Sequence, residues 1–133
     1  MTLFSLKTLL LANTLTEFGV GVFLLFMPKQ LSNPLSSPDL VGEWDGGVAI
    51  QALRPICGIS CLAMGVLTLL EAYKPEGRKT PESILAYLTM YHTLLCIPVV
   101  THMGFAVTQI PTLLGHLFLA LGFGGHFLSE VTK

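Results

Sequence analysis

The sequence predicts an all-α membrane protein, a transmembrane four-helix antiparallel bundle forming one domain of 133 residues. Three observations carry this expectation. Hydrophobic residues make up 52% of the chain and its mean hydropathy is +0.71. Charged residues are only 11%, against roughly 25% in a soluble globular domain, too few to cover a water-facing surface. The apolar residues also fall into four stretches, 8–27, 48–70, 84–104 and 110–128. Each matches the about 20 residues, at about 1.5 Å rise apiece, that a membrane-crossing helix needs.

The first span follows Lys7, a basic flank such as precedes a signal peptide. Its apolar run is too long for one, Glu17 interrupts it, and no small-x-small cleavage site follows, so it reads as an uncleaved helix. Residues 28–47 then break the pattern with Asn33-Pro34, Ser37-Pro38 and Gly46-Gly47. The second span ends at a polar stretch holding Pro75, Gly77 and Pro81. A short third connection, 105–109, makes the last two spans a helical hairpin, and Pro111 stands where a helix tolerates proline best.

Lysine and arginine set the expected orientation. Lys7, Lys74, Arg78, Lys79 and Lys133 flank one side and Lys29 alone flanks the other. The positive-inside rule puts both termini and the second loop in the cytoplasm, with the endoplasmic reticulum or a bacterial inner membrane as the expected location. The first loop, with Asp39, Glu43, Trp44 and Asp45, then faces outward or into a lumen.

Each span has a small or polar stripe. In the second, Gln51, Arg54, Gly58, Cys61, Gly65 and Thr68 recur at the alternating three- and four-residue spacing of a left-handed seam. The first offers Thr14, Glu17 and Gly21, with Asn13 beside them. The third offers Thr89, His92 and Cys96, followed by Pro98, which is expected to kink it. The fourth has two stripes, Gly115, Phe118, Gly122, Gly125, Ser129 and Thr112, His116, Leu119, Phe123, His126. Close packing alone accounts for the small residues. The polar ones need a further reason, because lipid cannot solvate them.

Counted inward from the outer ends of the spans, Gln51 lies roughly 5 Å deep, Arg54 and His116 roughly 9 Å, Glu17 roughly 15 Å and His92 roughly 18 Å, with His102 at the rim. The candidate catalytic residues are therefore Glu17, His92, His116 and Arg54. Asn13, Gln51, His102 and Trp44 are candidate substrate contacts. Glu17 and Arg54 are opposite charges at similar depth and read as partners, either as a register-fixing ion pair or as a carboxylate tuned by its cation. The imidazoles can exchange protons near neutral pH or simply bond between helices.

Composition excludes other classes. A net charge of −1 gives no field for nucleic acid. Cys57, Cys61 and Cys96 are odd in number and lie in apolar runs, so they read as packing residues. No nucleotide loop, nucleophile elbow or zinc-protease motif occurs. A haem held between His92 and His116 would lack any C-x-x-C-H attachment motif, and neither cofactor nor metal is expected.

The stretch from Ala52 to Gly65 reads ALRPICGISCLAMG. An arginine opening a span, then a glycine, then another glycine seven residues later resembles the DoxX-like group of small four-helix membrane proteins. Val66-Leu67 stands where that group has Lys-Leu. The resemblance covers one helix and implies a fold; the group itself is linked to quinone and redox processes. Anthrone-oxygenase-like and sterol-isomerase-like membrane enzymes have a similar size and polar core.

Three functions fit these residues. One is a cofactor-independent enzyme (isomerase, cyclase or oxygenase) acting on a lipophilic small molecule, with Glu17 or His116 as base, His92 as acid and Arg54 orienting Glu17. The second is a non-catalytic assembly protein, whose glycine-rich faces take up a second copy or a membrane partner. The third is a small transporter or redox component.

Overall fold

A computed structural model describes residues 4–26, 46–101 and 110–132, with side chains described for 4–26, 55–97 and 110–132. Over these residues the chain is all-α, with helices α1 (Leu6–Phe26), α2 (Gly46–Ala72), α3 (Glu82–Thr101) and α4 (Ile110–Val131). Among the described residues three helical segments are long and apolar enough to cross a membrane, Leu6–Phe26, Pro55–Ala72 and Ile110–Val131. Large apolar side chains cover their outsides: Leu15, Phe23, Ile59, Leu70 and Leu121 are all more than half exposed. Lipid solvates such a surface and water does not.

Local chemistry sets the helix ends. Ser5 precedes α1, and its hydroxyl accepts from the Thr8 amide at 3.1 Å, an N-cap for one orphan donor. The α2–α3 connection is a turn in which the Arg78 amide donates to the Pro75 carbonyl at 3.2 Å. Gly77, third of its four residues, has φ +84°, as a type II turn requires. Pro81 stands just before α3, its φ already helical, and its carbonyl accepts from Ile84 and Leu85. Pro55 lies inside α2 without breaking it, although it offers no N–H to the Gln51 carbonyl. Likewise α3 continues beyond Pro98 to Thr101.

The chain forms two compact units, Ala12–Leu70 on one hand and Met1–Leu11 with Glu71–Lys133 on the other. In the first, Thr14 meets Thr68, Phe18 meets Gly65, and Leu25 meets Gly58, so the partner's number in α2 falls as that in α1 rises. In the second, α3 packs along α4, with Leu85, Leu88, Leu119 and Phe123 buried. Leu9 fills the notch at Gly122, where a Cβ would come within 2.8 Å of it.

Candidate functional site

Two polar clusters occupy the helix faces that the sequence marks, one in each unit. In the unit Ala12–Leu70, Thr68 is the hub. Its hydroxyl lies 3.1 Å from the Met64 carbonyl and 3.2 Å from that of Gly65, so its one proton goes to its own helix. Both lone pairs are then left to accept, from Thr14 at 2.9 Å and from the Asn13 amide at 3.4 Å. All three residues are buried, and every bonding position of the Thr68 hydroxyl is used. Glu17, one turn along from Asn13, is 2% exposed and engaged with the surrounding chain.

In the other unit, His92 of α3 and His116 of α4 meet ring to ring. Their Nδ1 atoms stand 3.0 Å apart, so one ring donates its Nδ1–H to the lone pair of the other. The ring centroids are 5.3 Å apart with 28° between planes, so the two rings meet edge to edge at these nitrogens. The His92 ring also lies nearly parallel to that of Phe123, at 6.0 Å between centroids and 15° between planes. His116 and Phe123 are two turns apart on α4, a gap of about 10.5 Å along the axis, and the His92 ring sits against both. His92 is 0% exposed, while His116 is half-buried. Below them Cys96 donates its thiol to the His92 carbonyl at 3.3 Å.

The sequence-based candidates divide accordingly. His92 and His116 are brought into contact, and Asn13 sits in the Thr68 cluster with Glu17 a turn away. The Arg54 and Gln51 side chains lie outside the described residues, as do Trp44 and His102 altogether. At 3.0 Å the two Nδ1 atoms stand too close to hold one metal ion between them. Among the described residues no three His, Cys, Asp or Glu side chains converge on one point. Neither Cys57 nor Cys61 is in a disulfide; the first is exposed and the second buried.

Sequence reasoning missed two features. Thr68 appears in the sequence only as a member of a small and polar stripe, yet it anchors the cluster; its place opposite Thr14 depends on the α1–α2 register. His126, placed by its spacing in the second stripe of the fourth span, donates Nε2–H to the Phe4 carbonyl at 3.0 Å and lines a basic pocket. That pocket is assembled from segments far apart in sequence.

The glycine faces are largely filled by the chain itself. Gly21 and Gly58 approach backbone to backbone, Gly65 receives Phe18, and Gly124 receives Thr89. Gly19 and Gly115 face open space. No family model, curated protein or solved structure matches this chain.

Proposed function

We propose that this protein is a multi-pass membrane enzyme that moves a proton on a lipophilic small molecule, with His116 as the base and His92 as its partner. The observation that carries the reading is the Nδ1–Nδ1 contact of 3.0 Å between a sealed imidazole and a half-buried one. In the productive tautomer His116 donates Nδ1–H to His92 and keeps a lone pair on Nε2. A substrate proton taken up at Nε2 makes His116 an imidazolium, and the His92 acceptor stabilises it. His92 can then take the Nδ1 proton, so that the charge is shared across the pair. Returning the proton to a different substrate atom completes an isomerisation with no net gain or loss. Glu17 in the other unit is a second acid–base candidate, and we assign it Arg54 as its counter-ion, since an unpaired charge in a span costs about 2.5–3.5 kcal/mol even on the lenient scale.

The proposed setting is a four-span antiparallel bundle with both termini cytoplasmic, supported by the lysine and arginine asymmetry. Single cysteines introduced at Lys79 and at Asp39 in a cysteine-free background should label from opposite sides of sealed vesicles.

The reaction is testable without knowing the substrate. The purified protein is incubated with a total lipid extract in deuterated water, and the extract is searched by mass spectrometry. Wild type should place deuterium in one compound class that His116→Ala leaves unlabelled. Equal labelling by wild type and variant, or none by either, would remove the enzyme reading.

A second reading, an assembly protein, is favoured by one observation only: Gly19 and Gly115 have no neighbour within 4 Å of a Cβ position. Crosslinking from these two positions in native membranes tests it.

A further inference from the structure

The α2–α3 turn collects cations at the ends of the helices. Lys74 follows the end of α2, Arg78 and Lys79 precede α3, and the last turns of α4 lie against them. These three side chains line one pocket of about 210 Å³. That is smaller than the about 300–1,000 Å³ of sites that enclose a whole small molecule, and suits one charged fragment of a larger ligand.

The charges are unevenly spent. Lys74 is held by Glu71 at 3.1 Å and by the Thr80 hydroxyl. Lys79 reaches Glu130 of α4 at 3.3 Å, but its side chain is 80% exposed, and such a pair is weak. Arg78 belongs to neither ion pair and is exposed. With Lys74 neutralised by Glu71 and Lys79 only loosely paired to Glu130, Arg78 is the lining cation that stands outside both ion pairs. Arginine adds a planar fork that matches two oxygens of one oxyanion. The rest of the lining is not that of a site for a small soluble anion. Leu6, half-buried at the start of α1, supplies an apolar wall, with the fully buried Leu85 of α3 packed behind it. A charged end beside an apolar wall, where membrane-length helices begin and end, is the profile of an amphiphile's headgroup site.

We infer that this pocket binds a phosphate oxyanion, with an anionic lipid headgroup as its source. Arg78 takes two phosphate oxygens, Lys79 exchanges Glu130 for a third, and Leu6 meets the start of the acyl region. The inference rests on the membrane-crossing helices of the proposed function and uses none of its histidine chemistry.

The full chain is reconstituted in nanodiscs of phosphatidylcholine containing a minor fraction of phosphatidic acid, and the lipids it retains are counted by native mass spectrometry. The pocket predicts that Arg78→Gln with Lys79→Gln lowers phosphatidic acid retention about tenfold or more. Glu130→Gln should raise it, since it frees Lys79. Lys7→Gln removes a cation that sits over the Tyr73 ring outside the pocket, and should leave retention unchanged. Equal losses from Lys7→Gln and from the double variant would mean diffuse attraction and overturn the site; so would no loss at all. Inorganic phosphate added at millimolar concentration separates the sources. No displacement supports the lipid, whereas full displacement keeps the oxyanion site and makes free phosphate its ligand. Calorimetry with inorganic phosphate in detergent reads the pocket even if the protein fails to enter nanodiscs, an outcome that would count against the membrane reading instead.

Discussion

Gly21 and Gly58 approach so closely that neither leaves room for a side chain. A Cβ on Gly21 would stand 2.9 Å from the Gly58 carbonyl oxygen, and one on Gly58 would stand 3.1 Å from that of Gly21. Backbone cannot rotate away as a side chain can. Gly21→Ala and Gly58→Ala should therefore each destabilise by about 1–3 kcal/mol, the usual cost of overpacking. Gly19→Ala and Gly115→Ala meet nothing within 4 Å. They should be neutral or stabilising by up to about 1 kcal/mol through helix propensity. Unfolding in mixed micelles measures all four; equal effects would contradict the close approach.

Thr68 provides a second contrast. Thr68→Val keeps the shape but removes the oxygen that accepts from Thr14 and Asn13. Interhelical hydrogen bonds in membranes are worth about 0.6 kcal/mol on average and about 1.7 at most, so a loss in that range is expected. Thr68→Ser should recover most of it. If valine were as stable as threonine, the hydroxyl would contribute nothing to packing α1 on α2.

Spacing made part of this fold legible. The stripe Gly58, Cys61, Gly65, Thr68 is buried as a seam because three- and four-residue steps return to one helix face. Of the two stripes on α4, the second carries the buried core, Leu119 and Phe123, while Gly115 and Phe118 of the first stay exposed. Periodicity finds both stripes but does not say which one α3 covers. His92 and His116 were legible as polar residues in apolar spans. Their direct contact was not, since a shift of one helical residue moves a side chain by about 100° around the axis. The basic pocket was illegible for another reason. Its members come from α1, the α2–α3 turn, α3 and α4, and only the turn has them close in sequence.

Glu17 and Arg54 lead to a charge-swap prediction. Glu17 is buried within an apolar helix, and Arg54 lies in α2 of the same unit. Glu17→Arg and Arg54→Glu should each lower the yield of folded protein, and the double swap should restore a measurable part of it. Coupling of about 0.5–3 kcal/mol is the range for residues in contact. Strictly additive losses would separate the two residues and leave Glu17 to its other partners.

The histidine pair makes the most specific demand. With Nδ1 facing Nδ1 at 3.0 Å, the two rings cannot both be in the Nδ1-unprotonated tautomer, nor both carry a hydrogen there and keep the contact. Nitrogen-15 spectra of histidine-labelled protein should show one protonated Nδ1 coupled to one acceptor Nδ1, and His116→Ala should abolish that signature. His92→Ala should leave Nε2 of His116 in place while removing its acceptor. If the pair moves a substrate proton, His116→Ala costs about 10²–10⁴-fold in deuterium labelling, the usual worth of a positioned base. His92→Ala should cost less, because a base that has lost its partner still keeps its lone pair. Thr93→Ala, which removes an exposed hydroxyl bonded to its own helix at the Thr89 carbonyl, controls for disturbance of α3 and should label as wild type. Stability must be measured on every variant, because His92 is also a buried wedge between His116 and Phe123. His92→Phe keeps the wedge and deletes the acceptor. A variant that is stable yet slow would place the defect in the proton path, whereas one that is stable and fast would make His92 a packing residue only.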